Sequence, residues 1–328
     1  MAYTLPADAL ALAPMVGLSH RALRTLVEEF GGCDLHYTEM SSAPGYISGA
    51  PYDAWFLDAQ PAPERTVLQF YGPDAPRLGE AVARSNALPA LGVDVNFGCS
   101  APHIVASGGG VAWMKDPAGA AELVKAARAN LAPGRTLSAK TRAGYEDDYG
   151  KLLEFARALE EAGLDWLVLH PRTKAQKFKR APKRELARRL GEDLGIPVLL
   201  NGDVRRFEDW IHAREAYAPA GVMLGREAVR RPWVFALFRG LERDAGFELE
   251  AELEATALRF LDLVEAHLPP EFHETRAKRF FHYYCDNVRF AHHFRTAVMN
   301  APGIAGVREA VKAYFREVPA DRVKLEKS

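Results

Sequence analysis

The strongest constraint on this chain is an alternation that runs through its first two thirds. Short apolar runs over residues 10–15, 35–40, 66–71, 92–96, 135–142, 166–170, 196–201 and 221–224 each have the length of one strand. Between them lie stretches with helical signals: 20–30 with Ser19 as a cap, 75–86, 118–131, 148–162 and 206–217, and a further start near Arg226. Eight strands alternating with helices over roughly 240 residues read as an α/β fold, a parallel (β/α)8 TIM barrel. An open doubly wound sheet is the structural alternative, but the first strand carries no G-x-G-x-x-G, so a dinucleotide-binding half is not indicated.

Past about Arg239 the pattern changes. Residues 249–267 place Leu253, Ala257, Phe260, Leu261 and Val264 at helical spacing, and Pro269-Pro270 ends that run. Helical, basic and aromatic-rich segments follow over 273–298 and 306–315. The expected organisation is a barrel over 1–242 and a small helical domain over 243–328.

Composition removes several function classes. Hydrophobic residues make up 48% and charged residues 26%, an ordinary globular balance. The three cysteines, Cys33, Cys99 and Cys285, form no C-x-x-C pair and no zinc spacing, so neither a disulfide framework nor a metal is expected, and a reducing cytoplasm fits. The N-terminus lacks a basic stretch before an apolar core, and no apolar run approaches the ~20 residues of a membrane span. A net charge of −1 gives no bulk support to nucleic-acid binding, which must rest on local patches.

The polar residues fall at strand ends. Asp94-Val95-Asn96-Phe97-Gly98-Cys99 brings an asparagine and a thiol to the end of the fourth strand, before Ser107-Gly108-Gly109-Gly110, which is too flexible for strand or helix. The third strand carries Gln69, the fifth Lys140 and Arg142, the sixth His170 and Arg172. The seventh ends in Asn201-Gly202-Asp203 and the eighth in Gly225-Arg226, two glycine-containing loops that each enter a helix. In a barrel these ends share the face on which active sites are built, and the loops after strands seven and eight are the usual phosphate site. A phosphorylated cofactor or substrate is implied.

The pieces Ala13-Pro14-Met15-Val16, Gln69-Phe70-Tyr71-Gly72, Asn96-Phe97-Gly98-Cys99, Lys140-Thr141-Arg142, His170-Pro171-Arg172-Thr173-Lys174-Ala175-Gln176, Asn201-Gly202-Asp203-Val204 and Gly225-Arg226 resemble the tRNA-dihydrouridine synthases in order and approximate spacing. One departure is that Ser100-Ala101 separate Cys99 from Pro102, where that family commonly has proline directly after the cysteine. The resemblance implies FMN at the top of the barrel, with Pro14, Met15 and Val16 lining the flavin and Gln69 and Lys140 on its ring edge. It places His170 on the flavin or its tail, and Asn201, Gly202, Asp203, Gly225 and Arg226 on the ribityl and phosphate. The implied reaction reduces the C5–C6 double bond of a uridine in tRNA, NADPH first reducing the flavin, with Cys99 as the proton donor to C5. Asn96, Arg142 and Arg172 are the candidates for holding the uracil.

Gripping RNA falls to two regions. From Arg172 to Arg189 there are nine basic residues and one glutamate, with Lys177, Lys179 and Arg180 at the centre. In the tail, Arg276, Arg279, Arg289 and Arg295 are interleaved with Phe280, Phe281, Tyr283, Tyr284 and Phe290. Three rivals stand beside this reading: a dihydroorotate-dehydrogenase-like flavin barrel acting on a free pyrimidine, an aldolase-type barrel using Lys140 as a Schiff-base lysine, and a non-enzymatic RNA-binding barrel.

Overall fold

The computed structural model of the protein describes residues 3–176 and 180–327. Eight parallel strands form the barrel: β1 Ala9–Leu12, β2 His36–Ser42, β3 Thr66–Tyr71, β4 Gly92–Phe97, β5 Thr136–Arg142, β6 Trp166–His170, β7 Val198–Asn201 and β8 Gly221–Leu224. Their order is β1-β8-β7-β6-β5-β4-β3-β2. The ring closes between β1 and the entry to β2, where Ala11 bridges Leu35 and Leu12 N–H donates to Leu35 O at 2.8 Å. Every residue of β1, β4, β6 and β8 is buried, as strands covered on both faces must be. Gly92 is required where β4 meets β5, because a Cβ there would lie 2.1 Å from Thr136 O.

The outer helices start where the sequence chemistry allows. Asp74, Asp116 and Asp148 each accept from the backbone N–H three residues on, at 2.9, 3.0 and 3.2 Å, opening Ala75–Ser85, Pro117–Asn130 and Tyr149–Glu161. Ser19 is not such a cap. Its hydroxyl folds back on Met15, accepting from Met15 N at 2.9 Å, and the helix Arg21–Glu29 follows His20 without a side-chain cap.

The compact units are cut differently from the expected 1–242 and 243–328. One comprises residues 1–14, 34–204 and 209–224, and the other 15–33, 205–208 and 225–328. The reason is apolar matching. Ala22, Leu23 and Leu26 of Arg21–Glu29 share one buried cluster with Val229, Trp233, Ala257, Phe260 and Leu261. The second unit also holds the helices Leu253–His267, Pro270–Tyr284, Ala291–Asn300 and Gly303–Glu317. Its core is aromatic: Phe260 stacks on Phe280 at 3.7 Å and Phe294 on Tyr314 at 4.5 Å. The expected single helix over 249–267 is corrected at its start. Leu249–Glu252 is a strand, β9, paired antiparallel with β10, Val323–Glu326. No helix among the described residues is long and apolar enough to cross a membrane.

Candidate active site

Strand register assembles the barrel interior in layers. Gln69 pairs with Asp94 across β3 and β4, and Asp94 with Ser138 across β4 and β5; two residues on, Asn96 pairs with Lys140. Because facing repeats every second residue, Asp94 and Asn96 share one face of β4, and Ser138, Lys140 and Arg142 one face of β5. Gln69 Nε2 donates to Asp94 Oδ2 at 2.7 Å, Ser138 Oγ to Asp94 Oδ1 at 2.6 Å, and Asn96 Nδ2 to Gln69 Oε1 at 3.0 Å. Burial lifts the Asp94 carboxyl to about 6, against the hydrogen bonds of Ser138 and Gln69 and the charge of Lys140. Lys140 is drawn down to about 8, by burial first and then by Arg142, with Asp94 and Cys99 opposing. Its half-buried ammonium makes no hydrogen bond or ion pair among the described residues.

Asn96 also organises the Cys99 loop. Its Oδ1 accepts from Gly98 N at 3.1 Å and Cys99 N at 2.8 Å, so the backbone turns sharply off β4. Arg142 Nε donates to Gly98 O at 2.8 Å from the neighbouring strand. The expectation of irregular chain over 107–110 needs one correction. Gly110 opens a 3-10 turn, Gly110–Lys115, with φ +61°, and a Cβ there would lie 2.4 Å from Cys99 O. Val111 N then donates to Cys99 O at 2.9 Å. The two residues inserted before Pro102 are absorbed by the loop, with Ala101 preceding the short helix Pro102–Ala106. Cys99 is half-buried, whereas Cys33 and Cys285 are buried.

At the ends of β6 and β7 the structure joins two residues that the sequence left apart. Arg172, fully buried, ion-pairs through Nη2 with the Asp203 carboxylate, approaches His170 Nε2 at 3.2 Å and donates from Nε to Arg180 O at 2.6 Å. Its guanidinium is thus engaged by the protein, and it latches the two loops. Asp203 sits in the left-handed region at φ +50°, held also by Arg184 Nη2 on its carbonyl at 2.7 Å. Asn201 Nδ2 donates to Met223 O at 2.8 Å. Thr173 and Gln176 bond to one another's backbone, at 3.0 and 3.3 Å, so the H-x-R-T-x-x-Q motif also shapes its own turn.

The remaining candidates divide. Pro14 follows β1 in the barrel unit. Met15 is packed against the helical cluster, and Val16 is exposed. Gly225 follows β8 directly, and Arg226 is an exposed first residue of Arg226–Arg230. In the helical unit, Arg276 is buried, Arg289 pairs with Asp321 at 3.0 Å, and Arg295 pairs with Asp286 while donating to His282 O. Arg279 is exposed and donates to Val16 O at 3.1 Å. Phe280, Phe281 and Tyr284 are buried core and offer no stacking face, while Phe290 is exposed. Lys177 and Lys179 lie outside the described residues.

The sequence assigns no role to Asp94 or Ser138, and gives Gly110 only a place in a flexible run and Arg184 only a place in the basic segment after the sixth strand. Asp94 and Ser138 carry a legible signal, since each lies two residues from a candidate on its own strand.

A closed eight-stranded barrel with an amide, an unpaired ammonium and a half-buried thiol at its strand ends defines the class: a (β/α)8-barrel enzyme. Solved structures agree on the fold alone. A histamine dehydrogenase from Rhizobium superposes with TM-score 0.54 at 12% identity, covering 78% of this chain and 49% of that one. A morphinone reductase variant gives 0.51 at 12%, covering 70% and 86%. The dihydrouridine synthase family model matches residues 11–318. A tRNA-dihydrouridine(16) synthase of Aquipseudomonas alcaligenes is 33% identical over 281 residues, 82% of this chain and 88% of that protein. A probable tRNA-dihydrouridine synthase of Helicobacter pylori is 28% identical over 314 residues, 94% and 92%. The chain belongs to the dihydrouridine synthase family and is a flavin-dependent oxidoreductase.

Proposed function

We propose that the protein reduces the C5–C6 double bond of a uridine in tRNA, with FMN in the barrel, NADPH as reductant and Cys99 as the proton donor, in the cytoplasm. The observation that carries this is the half-buried Lys140 ammonium, without a hydrogen bond or ion pair among the described residues, opposite Asn96 in the strand register and within electrostatic reach of Cys99. A cation with no direct hydrogen bond or ion pair in a covered site suits an anionic or carbonyl-rich ligand edge, so the residues present fit a flavin. When bound, FMN supplies the hydride for uracil C6. Gln69 and Lys140 hold its ring edge, Pro14, Met15 and Val16 border it, and His170, Asn201, Gly202, Asp203, Gly225 and Arg226 take its tail. Cys99 carries a proton on Sγ and delivers it to C5, which requires the thiol and not the thiolate. Arg142 and the second Nδ2 proton of Asn96 face the uracil carbonyls. Arg172 acts on the substrate indirectly, by fixing the loop after β6.

The base must leave the RNA stack to reach a barrel mouth. The helical unit, through Arg279, Arg289 and Arg295, and the basic segment around Lys177, Lys179 and Arg180 are the proposed tRNA contacts; Arg276, being buried, is withdrawn from that set. Relatives bearing the number 16 in their names make that position the first to assay. The test is the visible spectrum of the purified protein, followed by incubation with unmodified tRNA and NADPH. A flavin spectrum and new dihydrouridine are expected. Cys99→Ala is expected to keep FMN and NADPH oxidation while dihydrouridine formation falls about 10²-fold. A protein that stays colourless with added FMN refutes the reading.

A further inference from the structure

Asp94 takes no part in the reaction above, yet it faces both side chains assigned to the flavin edge. It is fully buried, accepting from Gln69 Nε2 and Ser138 Oγ, which are its register partners on β3 and β5. Two residues further along the strands, on the same face, stand Asn96 and Lys140. The groups facing the carboxylate are therefore two neutral donors and one cation, Lys140, with the Tyr37 hydroxyl of β2 also in electrostatic reach.

We propose that Asp94 is a positioning residue of the flavin site, whose carboxylate fixes the Gln69 carboxamide in one orientation and acts as the buried counter-charge of Lys140. This rests on the flavin assignment of Gln69 and Lys140. The orientation follows from donor and acceptor types alone. Backbone N–H groups of Gly98 and Cys99 can only donate, so Asn96 Oδ1 must accept and its Nδ2 donate. Gln69 Oε1 then accepts from Asn96, and its Nε2 donates to a carboxylate that can only accept. The polarity runs one way from the Cys99 backbone to Asp94, and Gln69 is left with one Nε2 proton for a carbonyl oxygen of the flavin ring.

The charge role concerns a cation with opposed neighbours. Burial and Arg142 on its own strand push Lys140 toward the neutral amine, and Asp94 and Cys99 oppose them. With Asp94 near 6 and Lys140 near 8, both are ionised between those values. Below that window the carboxylate is lost, and above it the ammonium is lost.

The test is the FMN dissociation constant across pH, read by flavin fluorescence, with the visible spectrum alongside. Wild type is expected to bind tightest between the two limbs. Asp94→Asn keeps an acceptor for Gln69 and turns an amide N–H to Ser138, whose hydroxyl rotates to accept, so chiefly the charge is removed. Its acid limb is expected to vanish and its alkaline limb to move to lower pH, with affinity near neutral pH weaker by about fivefold. Ser138→Ala removes a bond that lowers the Asp94 value, so its acid limb is expected to move to higher pH. A merely structural Asp94 would weaken binding by one factor at every pH, and limbs unmoved in Asp94→Asn overturn the proposal. If Asp94→Asn fails to fold, an acid limb unmoved in Ser138→Ala overturns it instead. A wild type that binds no FMN at any pH refutes the flavin reading itself, a separate outcome from a binding wild type with unmoved limbs.

Discussion

Asn96→Ala is the most informative single change, because Asn96 links the barrel interior to the cysteine loop. Three hydrogen bonds disappear, two from the backbone N–H groups of Gly98 and Cys99 and one to Gln69 Oε1. The two backbone groups belong to half-buried residues, where water can replace part of the loss. Gln69 is buried, so its oxygen bears the full penalty of about 1–3 kcal/mol. With about 0.5–1.5 kcal/mol for each backbone bond, the sum is about 2–6 kcal/mol, lowered toward the bottom of that range where water replaces the backbone bonds. The consequence is local: the Gly98 and Cys99 amides should exchange with deuterium about tenfold faster, the equivalent of ~1.4 kcal/mol of opening free energy. Dihydrouridine formation should fall about 10²-fold, the scale of a reacting group displaced by about 1 Å. Asn96→Asp separates the two functions, since a carboxylate still accepts from both amides but cannot donate to Gln69. Amide protection should persist there while FMN binding weakens. Unchanged exchange at Gly98 and Cys99 in Asn96→Ala, with activity intact, would refute the reasoning.

Native protein treated with a maleimide at neutral pH should label first at Cys99, because Cys33 is buried and burial pushes the Cys285 thiol up to about 12; rapid labelling of Cys285 would contradict this. Arg226→Ala should weaken FMN binding by about 1.5–3 kcal/mol, and undiminished affinity removes its phosphate role. His20 is fully buried, and its ring nitrogens have no hydrogen-bond partner among the described residues. Burial first, then the charges of Arg276 and Arg24, hold its pKa well below 6.5. The folded state refuses a proton that the unfolded chain accepts, so stability should fall by up to about 1.4 kcal/mol per pH unit below 6.5. His20→Leu should flatten that slope between pH 7 and 5.5 in urea titrations, and an identical slope argues against it. Arg289→Ala with Arg295→Ala should flatten the salt dependence of tRNA binding by about one unit, because both guanidinium groups are already partly neutralised by Asp321 and Asp286. An unchanged slope assigns the helical unit to packing.

Most strand positions were legible because their cause is local. Thr66–Tyr71, Trp166–His170 and Gly221–Leu224 are found as expected, since short apolar runs bounded by glycine, proline or a helix cap have few other homes. The errors are non-local. Leu249–Glu252 is a strand because Val323–Glu326 returns to pair with it, and no window around residue 250 contains that information. The aromatics of Pro270–Tyr284 look available in sequence but are consumed by stacking on Phe260 and one another.

The sequence alone determined the barrel, the polar residues at the ends of strands three to eight and the family, because periodicity and motif order are properties of the chain. Tertiary structure alone decided which of those residues are free to meet a ligand. Arg172 and Asp203 lie 31 residues apart and look like two separate ligand contacts, but neighbouring strands bring the buried guanidinium and the half-buried carboxylate into one ion pair. Asp94 looks like one more polar residue in a strand until register sets it between Gln69 and Ser138. Whether a polar side chain is spent on the protein or left for a ligand depends on what folding places within about 3 Å of it, and spacing along the chain carries no record of that distance.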